Sequence, residues 1–345
     1  MLATALRRPI GHAVSRRIAR TVALGICLLV AIDAAEARKL LQGGRASGRA
    51  GGRGDIKPIN GPALPYTTVE NPFTLPGDMK FGNVTAIAVN SKGHVFVFHR
   101  GPVPLFEFDA KGAFVRAFGE GLTNRPHGLK IDSSDNIWIT DSGNHTAVKM
   151  DPTGKVLFTL GEQGKNGTWD EAAGTRLLDQ PTDVAFAANG DFFVSQGHGG
   201  VPRILRFDKN GRFLKSWGVT PRSIDVATNI HSLAVDKAGL LWAGDREAGR
   251  ILIFNGDGQL QRTIQMANRV SGLVLGKDGL IYISSSYEGQ IIQADSDGKV
   301  LGVTGGPGNG PGEYGEAHNL TLGPANEIYA ADNSGSRVHK YLPRK

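Results

Sequence analysis

A chain of 345 residues with a net charge of +7 invites a nucleic-acid reading, but the charge is concentrated at one end. Residues 1–53 hold ten Lys or Arg against Asp33 and Glu36, a balance of +8, so the remainder carries 7 minus 8, or −1, and no nucleic-acid-binding face is implied. The lone Cys27 falls in the N-terminal apolar stretch, which excludes disulfides and thiolate chemistry from a mature chain lacking that stretch.

Arg7, Arg8, Arg16, Arg17 and Arg20 precede an apolar run from Thr21 to Ile32 and then Ala35-Glu36-Ala37, the make-up of an export signal peptide over residues 1–37. An uncleaved anchor is the competing reading, although the run is short for a bilayer span. The mature protein is therefore expected in the periplasm or outside the cell, with no membrane attachment after cleavage. Residues 38–65 are rich in Gly, Arg and Pro without a periodic apolar face, and read as a disordered spacer. Order is expected from Tyr66, with residues 66–345 forming one domain.

From Val84 the chain repeats one phrase six times, beginning at Val84, Pro126, Pro181, Ile230, Val270 and Ala317. Each unit reads as four short strands separated by Gly, Asn or Asp turns, so the fold class is all-β and the architecture a six-bladed β-propeller. The last unit stops after its third strand near Leu342, and an N-terminal strand from within residues 66–74 is expected to close the ring. The second position of the phrase runs Thr85, His127, Thr182, His231, Ser271, His318. Three histidines in alternate blades stand at threefold positions around the axis, the arrangement of a three-ligand zinc site with a fourth position open. The ends of the second strands bring Arg100, Asp141, Asp245, Arg246 and Tyr287 to the same rim, and carboxylates such as Asp141 are expected to orient the imidazoles.

The repeated phrase resembles the NHL repeat. Phe98-His99-Arg100-Gly101, Pro126-His127-Gly128-Leu129, Pro181-Thr182-Asp183, Ile230-His231-Ser232-Leu233, Asp245-Arg246-Glu247-Ala248-Gly249-Arg250-Ile251 and the His318 phrase, in that order, resemble the catalytic core of peptidyl-α-hydroxyglycine α-amidating lyase. The resemblance implies zinc on His127, His231 and His318, and substrate contacts from Arg100 and Arg246. It implies cleavage of an α-hydroxyglycine C–N bond to an amide and glyoxylate, in a monomer acting on a small-molecule or peptide-borne α-hydroxy acid. His198 stands where the family has a proton-transfer tyrosine and is expected to act as a base near neutral pH, with Tyr287 the alternative, as a phenol. Glu316 replaces a methionine and is a further candidate ligand; Asn319 replaces an aspartate beside the family's structural calcium. Two other classes of function stay open: a non-catalytic NHL propeller that binds a peptide or protein, and a metal-dependent lactonase-like hydrolase.

Overall fold

The computed structural model describes residues 57–218 and 228–344; the expected signal peptide and residues 38–56 of the expected spacer lie outside them. The described residues form strands and turns, with no helix long and apolar enough to cross a membrane. One turn device recurs in five blades. Asp109, Asp151, Asp208, Asn255 and Asp295 each accept backbone N–H groups two and four residues on, and a glycine at the fourth position takes positive φ. A side chain that substitutes for the backbone acceptor and a residue free to adopt left-handed φ make the tight reversal between third and fourth strands.

The strands pair antiparallel into six four-stranded sheets, the fifth extended by a short parallel strand at Glu313–Tyr314. The inner strands are Asn83–Val89, Pro126–Ile131, Pro181–Phe186, Ile230–Val235, Gly272–Leu275 and Ala317–Leu322. Each packs against the next, and the sixth packs against the first, which closes the ring. The core is divided accordingly. Six buried clusters lie at the six blade interfaces; Phe98, Leu129, Ile139 and Val148 join blades 1 and 2, and Val84, Val97, Tyr329 and Val338 join blades 1 and 6.

The sixth blade takes its outer strand from the N-terminal side, as expected. Tyr66–Val69 pairs with Arg337–Pro343 in the register Tyr66↔Pro343 to Val69↔Lys340. Order begins earlier than Tyr66, which corrects the C-terminal end of the spacer: Leu64 N donates to Val303 O at 3.0 Å, Val303 N to Pro62 O at 2.8 Å, and Leu64 is buried. The segment thus runs from blade 5 to blade 6. The insertion at residues 162–180 turns its Trp169 onto Phe207 and Phe213 of blade 3, with ring centroids 4.9 and 6.0 Å apart.

Candidate metal centre

The register of the inner strands explains why the second position of the phrase faces the axis. In five blades the ladder slips there, between Val84/Ala86, Pro126/Gly128, Pro181/Asp183, Ile230/Ser232 and Ala317/Asn319. A bulged residue leaves the ladder and its side chain is re-aimed. The imidazoles of His127, His231 and His318 accordingly meet, with ring centroids 4.6, 5.0 and 4.7 Å apart. Each offers one ring nitrogen to a group whose members lie within 4.8 Å of one another.

Which nitrogen is offered follows from the other contact of each ring. His127 Nδ1 is 2.8 Å from Thr182 O, His231 Nδ1 is 2.7 Å from Ser271 O, and His318 Nδ1 is 2.7 Å from Thr85 O. A carbonyl oxygen can only accept, so Nδ1 carries the proton and Nε2 keeps its lone pair for the centre. The alternation of histidine and hydroxyl residues is thereby explained. Each histidine is oriented by the backbone carbonyl of the hydroxyl residue in the following blade, and the ring of six supplies three ligands and three orienters. Blade 3 must come close for this to happen: a Cβ on Gly128 would lie 2.4 Å from Thr182 O, so the glycine permits the approach.

Burial is the main cause that lowers the pKa of His127, to about 3, and those of His231 and His318 well below the ordinary histidine value. All three are neutral at physiological pH. Since the unfolded chain takes up the His127 proton near the reference value of 6.5 and the folded one only near 3, and the His231 and His318 pKa values are shifted in the same direction, acid favours unfolding. The melting temperature of the metal-free protein is expected to fall as pH is lowered below about 6.5, and less steeply in a His127→Gln variant. Melts between about pH 7 and pH 4 that run parallel in the two proteins would contradict this.

Of the other residues singled out by the sequence, His198 joins the centre, its ring 4.6 Å from that of His127 and 5.4 Å from that of His231. Burial holds its pKa well below the ordinary value, which corrects the expectation of a base poised near neutrality. Arg246 Nη1 donates to His231 Nε2 at 3.0 Å, its Nε and Nη2 are held by Glu247, and Glu316 Oε1 is 3.8 Å from Nη1. Burial raises the pKa of Glu316 against the opposing pull of Arg246 and Arg100. Arg100 Nε donates to Pro126 O at 3.4 Å, and Tyr287 lies near enough to both arginines to act on their charge.

Asp141 and Asp245 do not orient the imidazoles. Asp141 accepts the backbone N–H groups of Asn124, Arg125, Gly143 and Asn144, and Asp245 accepts Asn229 N and Arg250 Nε. Asp332 in blade 6 does the same for Gly315, Glu316 and Gly335. These carboxylates close the loops that lead into the inner strands. Among the described residues the histidine triad is the group of three or more metal-capable side chains, and Asn319 supplies no carboxylate. The buried acid nearby in sequence pattern, Asp183, is met instead by Lys130 Nζ at 3.2 Å and Leu233 N at 2.8 Å. Lys130 reaches from blade 2 as far as Leu233 O of blade 4, 3.4 Å away. No sequence motif pointed to this pair.

Fold and site together define a six-bladed β-propeller with a buried triad of neutral histidines, and residues 123–146 match the NHL repeat. In sequence the chain is related to the peptidyl-α-hydroxyglycine α-amidating lyases. It is 30% identical over 219 residues to peptidyl-alpha-hydroxyglycine alpha-amidating lyase 2 of Drosophila melanogaster, covering 55% of this chain and 52% of that protein. It is also 30% identical over 192 residues to human NHL repeat-containing protein 3, covering 51% and 53%. The chain thus spans about half the length of these curated relatives. Among solved structures, a streptogramin B lyase shares the fold, with a TM-score of 0.57 at 15% identity over 80% of this chain and 97% of that one.

Proposed function

We propose that the protein is a zinc-dependent lyase that splits an α-hydroxyglycine derivative into an amide and glyoxylate. The observation that carries this reading is the threefold set of imidazoles, each fixed by a carbonyl so that its Nε2 lone pair faces the centre. The donor set suits zinc: neutral imidazoles, three of them, with His127 Nε2 buried and without a hydrogen-bond partner. Zinc held by His127, His231 and His318 would supply the positive charge that eases ionisation of the substrate α-hydroxyl. The chain's own residues do the rest. Arg100 and Arg246 on the rim bind the glycine carboxylate, since a guanidinium fork matches two oxygens. Binding in this way draws Arg246 off His231 Nε2. His198 Nε2, buried and also without a partner, accepts the hydroxyl proton and returns it to the departing amide nitrogen. Its depressed basicity makes His198 a weak acceptor in the first step and, once protonated, a strong donor in the return step.

The overall change balances: the α-hydroxyl proton ends on nitrogen, the C–N bond breaks, and the former carbinol carbon becomes the aldehyde of glyoxylate. An export leader over residues 1–37 and action as a monomer on small or peptide-borne substrates belong to the same proposal. Incubating zinc-loaded protein with α-hydroxyhippurate is expected to release glyoxylate and benzamide in equal amounts. Zinc-loaded protein that releases neither would contradict the lyase reading and favour a propeller that binds without turnover.

A further inference from the structure

We propose that Asp179, near the end of the insertion over residues 162–180, is a positioning residue that braces the loop over residues 197–200 and so keeps His198 against the histidine triad. The inference rests on the lyase reading for what His198 does there, and adds to it a residue to which that reading gives no part.

The loop follows the strand Phe192–Gln196 and reads Gly197-His198-Gly199-Gly200, so His198 brings the only side chain. Glycines leave a backbone a wide choice of conformations, and something outside the loop must remove it. Two walls do so. On one side Gly197 lies against blade 4, where a Cβ would stand 2.1 Å from Ile230 O and 2.7 Å from Asn229 Oδ1. On the other, Asp179 Oδ2 accepts Gly200 N at 2.8 Å, and a Cβ on Gly199 would stand 2.4 Å from the same oxygen and 2.7 Å from Asp179 O. Between these walls the ring of His198 stands 4.6 Å from that of His127 and 5.4 Å from that of His231.

Asp179 is itself firmly placed. Leu178 before it is fully buried with Trp169 in the cluster between blades 2 and 3, and its carbonyl accepts Gly167 N at 3.1 Å. Gln180 after it donates its backbone N–H to His145 Nδ1 at 3.1 Å. Both Gln180 and His145 hold left-handed backbone, with φ of 51° and 59°, a conformation such residues keep only where their surroundings impose it. His145 Nδ1 lies 3.8 Å from Asp179 Oδ1, and Oδ2 is the oxygen turned to the loop. The Asp179 wall therefore rests on one carboxylate, and removing it frees the loop on that side. A proton acceptor works only within hydrogen-bond reach of its proton, so kcat falls with the fraction of time His198 spends at the centre. The substrate carboxylate, held in this reading by Arg100 and Arg246, does not depend on the loop, and KM stays.

The test follows the His198 ring directly, by nuclear Overhauser contacts among labelled histidine rings in the full chain dialysed against zinc, beside steady-state kinetics with α-hydroxyhippurate. The parent is expected to show a contact between His127 and His198. Asp179→Ala is expected to lose it while the contacts among His127, His231 and His318 stay, and to lower kcat by about 10–100-fold with KM within about twofold. Asp179→Asn, which keeps an oxygen for Gly200 N, is expected to retain the contact and most of kcat. In a His198→Gln background Asp179→Ala is expected to cost nothing further, because a residue that acts through another has no effect once that other is gone. A parent without the contact, an Asp179→Ala variant that keeps it, an Asp179→Asn variant that loses as much as Asp179→Ala, or two losses that add in full would overturn the brace. The expected pattern of ring contacts, together with no glyoxylate from the parent, would sink the lyase reading and leave the brace standing.

Discussion

Replacing Leu64 and Tyr66 together by alanine is expected to lower the melting temperature by about 10–40 °C, because the ring is closed by the segment they anchor. Leu64 is 3% and Tyr66 8% exposed, and both belong to the cluster shared by blades 5 and 6 with Tyr282, Ile291, Leu320 and Tyr341. Truncations of this size in a core cost roughly 2–5 kcal/mol each, and in a domain this long each kcal/mol moves the midpoint by about 2–4 °C. The effect exceeds lost burial alone. Freeing Tyr66–Val69 uncovers the edge of Arg337–Pro343, whose backbone groups would then face water or another chain. Differential scanning calorimetry checks the figure, and concentration-dependent aggregation of the variant would be the accompanying sign. A melt unchanged from the parent would show that the ring closes without the N-terminal strand.

His231→Ala is expected to reduce turnover of α-hydroxyhippurate by roughly 10³-fold, since several kcal/mol of charge stabilisation at the hydroxyl depends on an intact ligand set. The loss has two parts. One ligand disappears, and Arg246, whose Nη1 contacts His231 Nε2, loses the group that places its head. A useful contrast is the hydroxyl partner in the next blade: Ser271→Ala keeps the carbonyl that orients His231 and is expected to act far more weakly on kcat. Steady-state kinetics on the two variants separates ligand loss from general disturbance. Equal losses in both would contradict the view that the backbone oxygen, not the hydroxyl, does the orienting.

Much of this architecture was legible in the repeated phrase. Its sixfold recurrence set the number of blades, and the truncated last unit required a strand from elsewhere, found at Tyr66–Val69. The threefold spacing of His127, His231 and His318 was legible because a ring converts alternation in sequence into symmetry in space. The partners of those rings were not. His318 meets a carbonyl 233 residues away, and a backbone oxygen leaves no trace in residue type. Asp141 and Asp245 misled for a related reason: a carboxylate at a rim can serve either a ligand or the loop beneath it, and here the loop N–H groups are nearer. The start of order was misplaced because Pro62, Ala63 and Leu64 have no strand pattern of their own and gain their place from Val303.

The central claim is that the triad holds a metal, and plasma mass spectrometry of the folded protein tests it most directly. The parent, purified and dialysed against zinc and then buffer, is expected to retain about one zinc per chain, and the His127→Ala, His231→Ala, His318→Ala triple variant none, while still giving a propeller's all-β circular dichroism. A parent that retains no zinc, or a triple variant that retains as much as the parent, would contradict the account.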